Sequence, residues 1–281
     1  MKVRVGDVEI AYDRAGRGES VILVMGLAMT RAGWFNQFRY LSQRYDVTAF
    51  DNRGSGETVA ASGQWSMHDM AADVIALADV LGHARFHLAG VSMGGMISQE
   101  VALASPERLR SLTLVSTSPG GPEATLASPE YLAAFALPNP QDRLRRSIEL
   151  LFGSRYRTEH PEIVDAAVSL TMSGNSGVGG PVLNTGSDIT AGFMSQITAI
   201  MNWSMAGGTA SRLGRIQVPT LVLHGGDDLL IPLGNGRLLA ERIPGARLRV
   251  WDDAGHALIQ EHADEVNAEL EGRLASASVD A

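Results

Sequence analysis

Cysteine is absent from this 281-residue chain, basic residues are outnumbered by acidic ones, and no apolar segment leads the sequence. Without thiols the chain can form neither disulfides nor thiolate metal sites. The formal net charge of −8 disfavours nucleic acid and anionic membranes as main partners, because both would be repelled. The first residues lack the hydrophobic run of a secretion signal or a membrane span, so a cytoplasmic location is expected.

Apolar residues, in contrast, are plentiful. A hydrophobic content of 45% in a chain of this length is enough to bury a large core, which excludes disorder and a coiled coil. The composition favours a small partner molecule that is uncharged or cationic. No residue pattern for a cofactor or a metal site is present, and the oligomeric state is not indicated.

A short apolar run meets a Gly-x-Ser-x-Gly signature at residues 86–96. The run is typical of a buried strand, and the apolar spacing after the signature is typical of a helix. Gly90 and Gly94 flank Ser92 because a sharp turn from strand to helix leaves no room for a side chain on either side. The pattern predicts a nucleophilic serine raised above the edge of a sheet.

Alternating strand and helix signals organise the rest of the chain. A hairpin at residues 2–5 and 8–12 is expected at the sheet edge, with Gly6 and Asp7 in its turn. One helix is predicted to begin at a capping box at Ser66 and to end at Gly82, because glycine readily adopts the left-handed conformation that ends a helix. Further strands are predicted at residues 20–24, 45–50, 86–89, 111–116, 219–224 and 246–251. This order predicts an α/β fold with a doubly wound, mostly parallel sheet.

Strand signals stop between residues 119 and 218, where helices are predicted at 140–152, 161–172 and 187–203. We interpret this region as a helical cap inserted into a core made of residues 1–118 and 219–281. The glycine-rich stretch at 173–180 is either a gate to a pocket or a plain linker. After the cap, helices are predicted at 233–243 and 260–274, with His262 inside the last helix and a frayed tail after it.

A nucleophilic serine needs an acid and a base from loops at the carboxyl edge of the same sheet. The predicted strand ending at residue 224 is followed by two carboxylates, Asp227 and Asp228, of which Asp228 is favoured. His256 directly follows the final predicted strand. These positions give the chain order nucleophile, acid, base.

These motifs resemble the three active-site loops of the α/β-hydrolase superfamily, over nearly the whole chain. They are residues 90–95, the Gly-x-Asp-Asp-x-x-x-Pro pattern at 225–232, and residues 255–256. In that family the aspartate four residues before the proline is usually the acid, which supports Asp228. Met25 and Gly26 replace the common His-Gly pair, as in a lid-bearing serine esterase and lactonase branch similar to aclacinomycin methylesterase. Trp34 and residues 51–53 also fit that branch.

The resemblance implies a serine hydrolase in which Ser92 attacks, His256 carries the proton and Asp228 orients His256. The N–H groups of Leu27 and Met93 would form the oxyanion hole. Met25, Gly26 and Trp34 are candidate pocket residues, with core packing as the alternative for Met25.

Cleavage of a carboxylic ester or lactone of a small to medium apolar substrate is the leading function. The same triad could instead serve carbon–carbon bond hydrolysis, acyl transfer or perhydrolysis. A ligand-binding protein on a hydrolase scaffold is a third class, disfavoured because the predicted triad is complete.

Overall fold

The computed structural model describes residues 1–61, 63–172 and 187–279. Among these, eight strands form one sheet: β1 (Lys2–Val5), β2 (Val8–Ala15), β3 (Ser20–Val24), β4 (Asp46–Phe50), β5 (Phe86–Val91), β6 (Leu109–Val115), β7 (Thr220–Gly225) and β8 (Arg247–Trp251). Their order is β1-β2-β4-β3-β5-β6-β7-β8. Only the pairs that involve β1 and β2 are antiparallel, so the mostly parallel sheet predicted from the sequence is confirmed.

Helices follow the strands and cover both faces of the sheet. They are α1 (Phe35–Leu41), α2 (Met67–Val80), α3 (Met93–Ala104), α4 (Pro129–Phe135), α5 (Pro140–Glu149), α6 (Ser154–Glu159), α7 (Pro161–Met172), α8 (Ser187–Met205), α9 (Gly234–Arg242), α10 (Leu258–Glu261) and α11 (Ala263–Val279). Short 3₁₀ helices occur at Arg31–Trp34, Pro106–Arg108 and Ala210–Arg215. Within the described ranges no helix is long and apolar enough to cross a membrane.

Two hydrophobic layers sandwich the sheet, as a doubly wound fold requires. One layer is built with α2 and α3, and its buried members include Val74 and Ile97. The other is built with α1 and α11, and its buried members include Leu41 and Leu270. Burial of apolar side chains on both faces explains why the inner strands read as continuous hydrophobic runs in the sequence.

Helices α4 to α8 lie between β6 and β7, and we call this region the helical insertion. It has a small apolar core of its own that includes Ile148, Phe152 and Val168. The predicted helices at 161–172 and from residue 187 onward are present, whereas α4 and α6 were not predicted. The stretch 173–180 lies outside the described residues, and the domain division at 119 and 218 stays a prediction.

Local signals at helix ends were mostly accurate. Ser66 and Asp69 form the predicted capping box, and Gly82 has a φ of +79° at the end of α2. Trp34 is the last residue of the 3₁₀ turn that precedes α1.

The predicted last helix is wrong at both ends. His262 is not inside it but separates α10 from α11, because its ψ of 44° breaks the helix. The expected frayed tail is also wrong, since α11 continues to Val279 and buries Ala277 against the core.

Candidate active site

Ser92 occupies a strained turn between β5 and α3, with φ of 56° and ψ of −121°. Few residues other than glycine adopt a positive φ, and such strain concentrates at functional sites. A Cβ at Gly90 would lie 2.2 Å from Gly94 O, and a Cβ at Gly94 would lie 2.1 Å from Val24 O. Both glycines of the signature are therefore required by close backbone packing around Ser92.

Hydrogen bonds from the β6 side hold the Ser92 backbone in this conformation. The Ser92 N–H donates to Val115 O at 2.9 Å. The hydroxyl of Thr117 donates to Ser92 O at 2.7 Å. A side chain at Gly95 would collide with Thr117, at 2.6 Å, so this glycine lets the hydroxyl approach.

Asp228 and His256 are brought together although they are far apart in the sequence. His256 Nδ1 lies 2.8 Å from Asp228 Oδ2, and the Asp228 side chain is fully buried. Its second oxygen, Oδ1, accepts the N–H groups of Leu230 at 3.0 Å and Ile231 at 2.8 Å. Because a carboxylate only accepts, His256 Nδ1 carries the proton and Nε2 is left as the basic atom.

Asp227, the other candidate acid, has a different role. Its Oδ2 accepts the N–H of Ser154 at 2.6 Å, at the first residue of α6. Asp227 thus anchors the helical insertion to the loop after β7. The geometry favours Asp228 as the partner of His256.

Ser92, Asp228 and His256 follow β5, β7 and β8, at the carboxyl edge of the sheet. Among the described residues, His256 is hydrogen-bonded to Asp228, but no hydrogen bond joins Ser92 Oγ to His256. Catalytic hydrogen bonds are often long before substrate binds and then tighten. The triad therefore stays a prediction, with one of its two hydrogen bonds formed.

The predicted oxyanion donors are the N–H group of Leu27, in the loop after β3, and the N–H group of Met93, the residue after Ser92. A Cβ at Gly26 would be 3.2 Å from Ser92 Cβ, which places the loop after β3 directly against the turn at Ser92. Within the part of the chain that the structure describes, the N–H groups of Leu27 and Met93 donate to no acceptor. Two free N–H groups beside a serine are what an oxyanion hole needs.

Met25 and Trp34 are both fully buried, with 1% and 0% of their surface exposed. They pack together in the hydrophobic layer that contains α1. This burial favours core packing over substrate contact for both residues.

Comparison with known proteins assigns the fold family. The family model for the alpha/beta hydrolase fold matches residues 19–263. The chain belongs to the α/β-hydrolase family. A solved structure of an N-acyl homoserine lactone degrading enzyme has a TM-score of 0.80 and 30% identity, and the match covers 97% of this chain and 99% of that one.

Two other α/β-hydrolase relatives indicate the range of reactions near this sequence. A protein of Azorhizobium caulinodans, named for carbamate hydrolysis, is 29% identical over 95% of both chains. The 2-hydroxy-6-oxo-6-phenylhexa-2,4-dienoate hydrolase of Comamonas testosteroni is 30% identical over 94% of this chain and 90% of its own. The relatives are hydrolases, but they do not share one type of substrate bond.

Two titratable groups near the predicted triad were missed from the sequence. Glu261 accepts the N–H groups of Gly153 and Gly255 at 3.1 to 3.2 Å, beside His256. Burial is the main cause that raises the pKa of Glu261, and the negative charges of the nearby aspartates raise it further, to about 7. Tyr131, on α4, has its pKa raised to about 12 by burial and by the charge of Asp228, so its phenol stays neutral.

His224 holds the loop that carries Asp228. Its ring is fully buried, and Nε2 lies 2.8 Å from Ile231 O and 3.8 Å from Asp228 Oδ2. Burial lowers the pKa of His224, so the ring is neutral and its Nε2–H donates to Ile231 O. His224 therefore braces the loop without adding a positive charge beside Asp228.

Across the described residues no group of three or more acidic or histidine side chains could hold a metal ion.

Proposed function

We propose that the chain is a serine hydrolase that cleaves a carboxylic ester or lactone of a small to medium apolar substrate. The observation that carries the proposal is the 2.8 Å hydrogen bond between His256 and Asp228 at the sheet edge that also carries Ser92. A buried carboxylate that orients an imidazole next to a strained serine is the arrangement used for nucleophilic acyl transfer.

The reaction runs in two halves. Ser92 Oγ attacks the carbonyl carbon while His256 Nε2 takes the serine proton. The N–H groups of Leu27 and Met93 bind the negative charge that develops on the carbonyl oxygen. The protonated His256 then gives its proton to the departing alcohol, leaving an acyl-enzyme. Water, activated by His256, attacks that ester and releases the acid and Ser92.

The lactone-degrading relative supports an ester or lactone bond as the substrate bond. A specific alternative is hydrolysis of a carbon–carbon bond, which the similarity to the dienoate hydrolase favours. The two reactions use the same three side chains, so only the substrate separates them.

A substrate panel tests the proposal. Purified chain is assayed against p-nitrophenyl esters of increasing acyl length, an N-acyl homoserine lactone, an aryl carbamate and a 2-hydroxy-6-oxo-dienoate. We expect turnover of esters or lactones, and its loss in a folded Ser92→Ala variant. Turnover of the dienoate alone would replace the proposal with its alternative, and ester turnover that survives in Ser92→Ala would refute it.

A further inference from the structure

Gln196 is a fully buried polar side chain that the triad does not explain. It lies on α8, in the helical insertion, with 0% of its surface exposed. All three of its hydrogen bonds reach loops of the sheet. Its Oε1 accepts the N–H of Ala28 at 2.8 Å, and its Nε2 donates to Arg53 O at 2.8 Å and Ser55 Oγ at 2.9 Å.

The bond to Ala28 acts on the loop that carries a proposed oxyanion donor. Ala28 has a φ of 57°, a conformation that residues with a side chain rarely adopt. Ala28 N–H belongs to the peptide that follows Leu27, so holding it fixes the backbone on one side of Leu27. On the other side, Met29 N–H donates to Gly26 O at 3.3 Å. Because the peptide is trans and planar, binding Gly26 O directs Leu27 N–H the opposite way.

The position of α8 is fixed one turn before Gln196. A Cβ at Gly192 would lie 2.4 Å from Gly54 O, so helix and loop touch through their backbones. This contact holds Gln196 at the distance where its amide spans two loops. A primary amide is also the group that offers an acceptor and two donors at one site.

We propose that Gln196 is a positioning residue of the oxyanion hole, through which the helical insertion holds the Leu27 N–H in place. The inference rests on the proposed function, because it assigns Leu27 N–H to the transition state. Its consequence is that stabilisation of the tetrahedral intermediate depends on the docking of α8, although Gln196 does not touch substrate.

The test separates transition-state binding from fold stability. Gln196→Met keeps the length of the side chain and removes all three hydrogen bonds. An aryl trifluoromethyl ketone, which forms a tetrahedral adduct with the serine, is used as the probe. Loss of one oxyanion donor costs about 10²- to 10³-fold in rate. Because a displaced donor costs less than a missing one, we expect kcat to fall roughly 10- to 100-fold. Affinity for the ketone should fall by a similar factor, and KM should change much less.

Trp203→Phe is the matched control on the same helix. Trp203 is buried and donates to Glu100 Oε1 at 2.7 Å, so its replacement also removes a buried hydrogen bond between α8 and the sheet layers. We expect a similar fall in Tm but nearly unchanged kcat and ketone affinity. Gln196→Asn, which keeps the amide but shortens the reach, gives the same readout if the Met variant does not fold.

Equal kcat and ketone affinity in the parent and in a folded Gln196 variant would overturn the inference. So would losses in Trp203→Phe as large as those in Gln196→Met, because they would reflect helix docking in general. The parent, assayed alongside Ser92→Ala, keeps the two proposals apart. Absence of Ser92-dependent turnover in the parent refutes the proposed function and this inference together, whereas a normal parent with normal Gln196 variants refutes only the inference.

Discussion

Glu261 makes the stability of this protein depend on pH in a direction opposite to that of most carboxylates. Its carboxylate is partly buried at the junction of the helical insertion and the His256 loop, and it accepts two backbone N–H groups. Burial raises its pKa from 4.5 to about 7. Between these values the native state holds a proton that the unfolded state has released. The stabilisation is therefore fully present below pH 4.5 and is lost as the pH rises through about 7.

The size of the effect follows from the pKa difference, at about 1.4 kcal/mol per pH unit. For Glu261 alone, the free energy of unfolding should fall by about 2 to 3 kcal/mol between roughly pH 5 and pH 8. Glu261→Gln cannot titrate. The difference in unfolding free energy, variant minus parent, should therefore rise by that amount over the same interval, because only the parent loses stability.

Urea unfolding followed by tryptophan fluorescence at several pH values measures this difference. Glu107→Gln, at an exposed position, is the control, and its difference from the parent should stay flat. A flat difference for Glu261→Gln, or one that falls as the pH rises, would refute the reasoning about the Glu261 carboxylate.

Two further predictions concern aspartates whose neighbours are known. Asp228→Asn should lower kcat by about 10⁴-fold in initial-rate assays because His256 loses its charged acceptor, while Asp227→Asn should mainly lower Tm; the reverse ranking would contradict the assignment. Asp73→Asn should cost about 3 kcal/mol of unfolding free energy, because it breaks a buried pair with Arg53 at 2.6 Å, whereas an Asn at the exposed Asp79 should cost under about 1 kcal/mol; equal costs would contradict it.

Much of the sheet could be predicted from the sequence because its signals are local. The turn at Ser92 combines a buried apolar run, two glycines and a helical periodicity within about a dozen residues. The capping box at Ser66 is likewise a pattern of four residues. Short helices such as α4 and α6 span only seven and six residues, too few for a periodicity to stand out.

The contacts that the sequence could not indicate join residues distant in the chain. Gln196 bonds to Ala28 across 168 positions, and Asp227 bonds to Ser154 across 73. Neither side chain differs in type from many exposed ones, so only the fold reveals its partner. Between Asp227 and Asp228 the sequence favoured Asp228 with the support of the family resemblance, and the fold adds the partners: Asp228 faces His256 and Asp227 faces Ser154.

Labelling with a fluorophosphonate, which reacts with an activated serine, tests the central claim most directly. The labelled chain is digested and the modified peptide is identified by mass. We expect one label per chain on Ser92, no label in folded Ser92→Ala, and turnover reduced about 10⁶-fold in that variant. A label on another residue, or labelling that persists in Ser92→Ala, would contradict the account.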